Sequence, residues 1–268
     1  MYHERSRNFK GEVTSMVKLL VDGQERKFTT TIFPDGTSQV WKLDLELEED
    51  DEIEILWLFE NEAELFHVCQ LAHLLEEYYD YSPTLIVPYL PYGRQDKSVA
   101  NDASFALNTF KDVLYHRGIC RIETFDAHSE TDMVVSTSPA KFHKAIFNHD
   151  VVCFPDKGAA VRYGTADGFG NFPVIFCEKV RNQQTGEITG LKVHGATPDL
   201  LFNKRVLIVD DICDGGMTFI KVAEALKTFN PLQIDLAVSH GLFSKGERVL
   251  KDAGISNIFT TNSLLRNP

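Results

Sequence analysis

The 268-residue chain has little of what staples small folds together. Its five cysteines are Cys69, Cys120, Cys153, Cys177 and Cys213. They are odd in number, widely spaced and without a C-x-x-C pair, which argues against a disulfide framework or a structural zinc site. Most lie in apolar runs, as in Val151–Phe154 and Ile175–Cys177, so buried free thiols are expected. Positive charge is short: 27 Lys and Arg stand against 39 Asp and Glu, a net charge of −12. A chain this acidic lacks the broad basic face that nucleic acid requires, so no nucleic-acid partner is expected. No stretch approaches the roughly 20 apolar residues of a membrane span, and Met1–Arg7 offer no apolar core for a secretory signal. No membrane partner and a cytoplasmic location are the expectations. There is no internal repeat and no low-complexity segment. At 43% hydrophobic and 25% charged residues, the composition is that of an ordinary globular protein.

What is present is alternation. Strand patterns come first, at Val17–Val21, Lys27–Phe33, Gln39–Leu43 and Ile53–Phe59. The acidic run Glu46–Glu54 reads as a solvated loop. Helical spacing follows from about Glu62 to Tyr78, then a short strand at Thr84–Pro88. Beyond it, helices at Phe105–Tyr115, Lys141–Phe147, Gly158–Tyr163, Met217–Phe229 and Lys245–Lys251 interleave with strands. Those strands are Cys120–Phe125, Val151–Phe154, Pro173–Cys177, Arg205–Val209, Gln233–Val238 and Asn257–Thr260. Short apolar strands alternating with helices predict an α/β architecture with mainly parallel sheets flanked by helices. At about 150 residues per domain the length suits two, and the division falls at 1–147 and 148–268. The polar stretch Arg181–Gly190 reads as a mobile loop.

The sharpest segment is Val206–Thr218. Four apolar residues make a buried parallel strand, and Asp210 and Asp211 follow at its carboxyl end, where open α/β sheets put their ligands. Asp214, Gly215 and Gly216 then lead into a helix beginning at Met217 and Thr218. Such a turn aims backbone N–H groups at an anion such as phosphate. The carboxylates beside it suit ribose hydroxyls or a divalent cation. The plainer alternative is a strand-to-helix turn with Asp as N-cap.

This segment resembles the phosphoribosyl-diphosphate (PRPP) binding motif, an Asp-Asp pair followed by a Thr-Gly-Gly-Thr type loop. Type I phosphoribosyltransferases and PRPP synthetases (ribose-phosphate diphosphokinases) share it. Other segments are similar to those of the synthetases. Pro91–Lys97, with Arg94-Gln95-Asp96, is similar to Tyr-Ala-Arg-Gln-Asp-Arg, which implies ATP contacts for Arg94 and Gln95. A guanidinium suits phosphate because its planar fork is always charged. Phe125-Asp126-Ala127-His128 resembles Asp-Leu-His, which implies that His128 lies by the Mg-ATP phosphates; read alone, a lone histidine is a structural residue. Phe154–Arg162 is similar to Ser-Pro-Asp-x-Gly-Gly, which gives Asp156 a ribose-phosphate and metal role. Glu178–Arg181 resembles Asp-Lys-Arg-Arg, the opening of a flexible catalytic loop, which implies catalytic roles for Lys179 and Arg181. Phe33–Thr37 resembles Phe-Ser-Asp-Gly-Glu, so Phe33 would stack on the adenine of a neighbouring subunit's ATP while Asp35 accepts from its amino group.

The resemblance covers about Val17 to Leu265. It implies two phosphoribosyltransferase-like domains, the first on the ATP side and the second carrying the sugar-phosphate loop. It also implies ATP and ribose 5-phosphate as substrates, Mg²⁺ as cofactor, and a homo-oligomer of at least two chains. Metal ligands would come from His128, Asp156, Asp210 and Asp211. The ribose 5-phosphate would be held by Asp156, Asp210, Asp211, Asp214, Gly215, Gly216, Met217 and Thr218. The chain departs from the family pattern in reading Gly-Gly-Met-Thr after Asp214, which removes the first hydroxyl donor to the 5-phosphate. Thr37 replaces a Glu, Lys157 a small or apolar residue, and the sequence stops at Pro268, short of the longer members' final elements. A phosphoribosyltransferase that consumes PRPP, and a non-catalytic regulatory relative, are the alternative readings.

Overall fold

The computed structural model describes residues 16–98, 100–129, 131–137, 148–164, 172–181 and 188–264. For residues 179–181, 188 and 189 it describes the backbone alone. The expected helix at Lys141–Phe147 lies outside the described residues. The chain forms two compact units, one containing residues up to Thr124 together with Ser129–Ser136, the other Phe125–His128 together with residues from Thr137 onward.

The first unit opens with β1 (Val17–Val21) and β2 (Gln24–Arg26), followed by β3 (Thr29–Ile32), β4 (Ser38–Trp41) and β5 (Ile53–Trp57). Helix α1 (Glu64–Tyr79), β6 (Thr84–Ile86), α2 (Ala106–Tyr115), β7 (Ile122–Phe125) and β8 (Val134–Thr137) complete the series. The sheet runs β2-β1-β5-β6-β7-β8, while β3 and β4 form a separate antiparallel ribbon. β5 lies parallel to β6 and β6 to β7; β1 and β2 are antiparallel additions. β1 and β5 bury every second residue, as their alternating sequence requires. β2 lacks that pattern and was not legible in advance. It exists because Asp22 and Gly23 both take positive φ, 50° and 71°, the geometry of a tight hairpin turn.

The second unit contains β9 (Val151–Phe154), α3 (Lys157–Tyr163), β10 (Val174–Arg181), β11 (Ile188–His194) and α4 (Pro198–Leu201). It continues with β12 (Arg205–Cys213), α5 (Met217–Lys227), β13 (Gln233–Gly241), α6 (Arg248–Asp252) and β14 (Ile258–Thr260). Its sheet runs β11-β10-β9-β12-β13-β14, parallel throughout except at the β10–β11 edge. The centre strands β9, β12 and β13 are apolar on both faces and bury Val151–Phe154, Val206–Val209 and Leu236–Val238, as a sheet covered on both sides demands. Cys153 and Cys177, on neighbouring strands, are fully buried with their sulfurs 3.9 Å apart.

Two expectations are corrected. The strand expected to end at Val209 continues to Cys213, so Asp210 pairs with Val238 of β13 inside the sheet instead of starting a turn. The stretch Arg181–Gly190 is not a loop throughout, since Arg181 ends β10 and pairs with Ile188 of β11.

Candidate functional site

The carboxyl half of β12 carries the chemistry. Asp211 is only 2% exposed. Its Oδ2 lies 2.6 Å from Nδ1 of His128, and its Oδ1 lies 2.9 Å from Nη1 of Arg162 on α3. Burial alone would lift its carboxyl, but the His128 hydrogen bond and the Arg162 charge outweigh it and hold Asp211 well below the usual carboxylate range. Asp210 is in the opposite condition. Burial, the adjacent Asp211 charge and Asp156 push its carboxyl far above the ordinary range. Its Oδ1 accepts from the Asp211 backbone N–H at 2.9 Å, and its carboxyl also meets that of Asp211. Asp210 is therefore the carboxylate whose charge lacks compensation, the condition a cation or hydroxyl donors would relieve.

Behind this pair lies a second buried group. Asp126 accepts from Tyr163 Oη at 2.8 Å and from Ser239 Oγ. Burial raises its carboxyl to about 6, although both donors pull the other way. His240 reaches the Asp126 carbonyl through Nε2 at 3.2 Å and Ser263 Oγ through Nδ1 at 2.7 Å. The network thus spans the segment after β7, α3, β12 and β13.

Beyond β12 the chain turns through Asp214, Gly215 and Gly216 into α5. The N-cap of α5 is Gly216, at φ 78°, with no side-chain cap, so the Asp N-cap alternative does not hold. A Cβ on Gly216 would lie 2.8 Å from Leu250 Cδ2, so a glycine is needed there for both conformation and space. Ser244 Oγ donates to Asp214 Oδ1 at 2.6 Å. The Lys245 stem runs beside Gly215, its Cε 3.5 Å from where a Gly215 Cβ would stand. Ser244 and Lys245 were missed from the sequence; Lys245 follows the end of β13 by four residues, and only strand order brings it to the turn. Met217 is half exposed at the first turn of α5.

Asp156 caps α3, its Oδ1 accepting from Ala159 N at 2.9 Å. Lys179 and Arg181 lie on β10, opposite Leu191 and Ile188.

The first unit holds a separate hollow of about 480 Å³ lined by Phe59, Glu62, Tyr89, Pro91, Tyr92, Arg94 and Gln95. Tyr92 has φ 62°, a costly backbone for an aromatic residue. Its hydroxyl donates to Glu62 Oε1 at 2.6 Å, and burial with the Glu62 contact raises it to about 12. Phe33 and Asp35 lie in the turn that joins β3 to β4, Phe33 being 42% exposed. Asp35 Oδ1 accepts from Thr37 N–H at 3.0 Å and Thr37 Oγ1 at 2.7 Å, which lowers its carboxyl.

Within one unit, then, the structure brings together His128, Asp156, Asp210, Asp211 and the 214–218 turn; Arg94 and Gln95 share the hollow in the other. Among the described residues no three His, Cys, Asp or Glu side chains form a ready metal-holding group. The donors offered at Asp210 are nevertheless hard oxygens, which suit Mg²⁺ held by one or two carboxylates plus substrate phosphates.

Comparison with known proteins agrees with this geometry. The phosphoribosyl transferase domain family matches residues 141–264. The ribose-phosphate pyrophosphokinase of Saccharolobus solfataricus is 23% identical over 250 residues, 89% of this chain and 84% of that protein. That of Mycoplasmopsis pulmonis is 30% identical over 192 residues, 67% of this chain and 59% of its own. The phosphoribosylpyrophosphate synthetase of Mycobacterium smegmatis has the same fold, with a TM-score of 0.75 at 22% identity, over 90% of this chain and 84% of that one. Fold and site define a two-unit α/β protein of the phosphoribosyl transferase class. Within that class the chain is similar over most of its length to ribose-phosphate pyrophosphokinases.

Proposed function

We propose that the protein is a ribose-phosphate diphosphokinase that converts ATP and ribose 5-phosphate to AMP and PRPP. The observation that carries this reading is the half-buried Asp210 carboxyl, with no cation paired to it among the described residues, beside a Gly-Gly turn at the N-terminus of α5. One group suits sugar hydroxyls, the other a phosphate. The ribose 1-hydroxyl attacks the β-phosphorus of ATP in line, and the diphosphoryl group transfers as a unit. The protein contributes positioning and charge stabilisation.

In this reading Asp210 accepts from the ribose hydroxyls, while Asp214, Gly215, Gly216, Met217 and Thr218 hold the 5-phosphate, with Lys245 supplying a cation where the first hydroxyl of the family loop is missing. Arg94 takes the nucleotide phosphates in the hollow of the first unit, with Gln95 beside the nucleotide, which makes that unit the ATP side. Phe33 and Asp35 reach the adenine of a partner chain's ATP, so the working form is at least a dimer. Lys179 and Arg181 neutralise the transferring diphosphoryl group. Mg²⁺ would be held at Asp210, with Asp156 and His128 beside it, and would supply neutralisation of phosphate charge when bound. A cytoplasmic location accords with the cysteines of the described residues, which are all free thiols.

The test is ³¹P NMR of the purified protein with ATP, Mg²⁺ and ribose 5-phosphate. PRPP and AMP should accumulate in equal amounts. Absence of AMP, with consumption of PRPP when a purine or pyrimidine base is supplied, would instead establish a phosphoribosyltransferase. Silence in both assays would mark a regulatory relative.

A further inference from the structure

The two adjacent aspartates of β12 are alike in sequence and unlike in surroundings. Asp210 is partly open and has no cationic partner among the described residues, whereas both oxygens of Asp211 face cationic or donor groups. One oxygen meets His128 Nδ1 and the other the Arg162 guanidinium, with the Asp211 side chain 3% exposed and His128 37% exposed. A carboxylate has only acceptor sites, so the short contact requires His128 to donate from Nδ1. Arg162 Nη2 also lies 3.4 Å from that nitrogen, so the guanidinium flanks the pair on the same side. With Nδ1 occupied and the ring held, Nε2 is the atom His128 has left to offer.

We propose that Asp211 is a positioning residue rather than a sugar ligand: clamped by Arg162, it fixes the His128 ring and leaves Nε2 to face the reacting phosphates, so that Asp210 alone of the pair serves the sugar. A carboxylate that orients a histidine by accepting a hydrogen bond from its Nδ1–H is a recurrent device where the other ring nitrogen must meet a ligand. Arg162 completes it by pairing the buried Asp211 charge at 2.9 Å. The inference rests on the diphosphokinase reading for what Nε2 meets, but the clamp itself is a property of the unliganded protein.

Two variants separate the aspartates. Asp210→Asn should weaken ribose 5-phosphate binding, measured by calorimetry without nucleotide, by at least tenfold. Asp211→Asn should leave that affinity within about threefold while lowering kcat by a hundredfold or more. The structural signature is independent of turnover. In ¹⁵N-resolved NMR of the unliganded wild type, His128, assigned by its loss in His128→Gln, should show an exchange-protected Nδ1 proton. That signal should disappear in Asp211→Asn and weaken in Arg162→Lys, which keeps the charge should the first variant fold poorly. If Asp211→Asn weakens the sugar phosphate as much as Asp210→Asn does, Asp211 is a sugar ligand and the proposal fails. It fails equally if no protected proton exists on Nδ1 of wild-type His128. A wild type that holds that proton yet neither binds ribose 5-phosphate nor makes AMP would overturn the diphosphokinase reading and leave the clamp standing.

Discussion

His240 is sealed beneath the site, and burial holds its imidazole below the ordinary 6.5 although the carbonyl of Asp126 pulls it up. A histidine depressed in this way stays neutral in the fold, whereas the unfolded chain takes up a proton near 6.5. Its contribution is therefore complete above that pH and is lost as the pH falls below it. Urea midpoints should drop more steeply between pH 7.5 and 5.5 for the wild type than for His240→Gln; parallel slopes would remove His240 as the cause. Gly216 makes a second residue-scale case. With φ at 78° and Leu250 at 2.8 Å from any added Cβ, Gly216→Ala should cost about 1–3 kcal/mol of strain and raise the KM for ribose 5-phosphate. An unchanged Tm together with an unchanged KM would mean that the turn relaxes freely.

Among the elements, α1 depends on a residue that its apolar spacing does not reveal. Glu64 stands in the first turn, 7% exposed, and its Oε2 accepts from Trp57 Nε1 at 2.9 Å and from the Glu60 backbone at 3.0 Å. Glu64→Ala would strand a buried indole N–H, at a cost of about 1–3 kcal/mol; Glu64→Gln, which can still accept, should retain most of the stability in chemical denaturation. β1, β5 and β9 were legible from the sequence because alternation or a continuous apolar run states which faces are buried. The end of β12 was not. Asp210 and Asp211 look like the start of a turn, and they remain in the strand because Asp211 finds partners 83 and 49 positions away, His128 and Arg162, which no local pattern contains. The motif itself was readable, since glycines and carboxylates in series are rare without a ligand. The division of labour within it was not readable, because it is set by packing. β11 escaped notice for a related reason: as an edge strand, with Gly190 and Lys192 in its sequence, it has no clear apolar alternation.

Across the molecule, assignment of the nucleotide to one unit and the sugar phosphate to the other predicts that kinetic defects sort by unit. Phe33→Ala and Arg94→Ala should raise the KM for ATP about tenfold with little effect on ribose 5-phosphate. Lys245→Ala should do the reverse, without loss of Tm, since its side chain is exposed. Defects that cross over would argue against the assignment. The paired sulfurs of Cys153 and Cys177 have a further use. Each is fully buried at the centre of the second unit, and the contact with Cys177, together with burial, drives the Cys153 thiol well up from its usual value, whereas Cys120 of the first unit is exposed. An alkylating reagent meets a thiolate, not a thiol. Cys120 should thus gain its mass tag at once, while the two inner sulfurs take theirs together and only when the sheet around them comes apart, so that the native chain carries its own clock for how often that sheet opens.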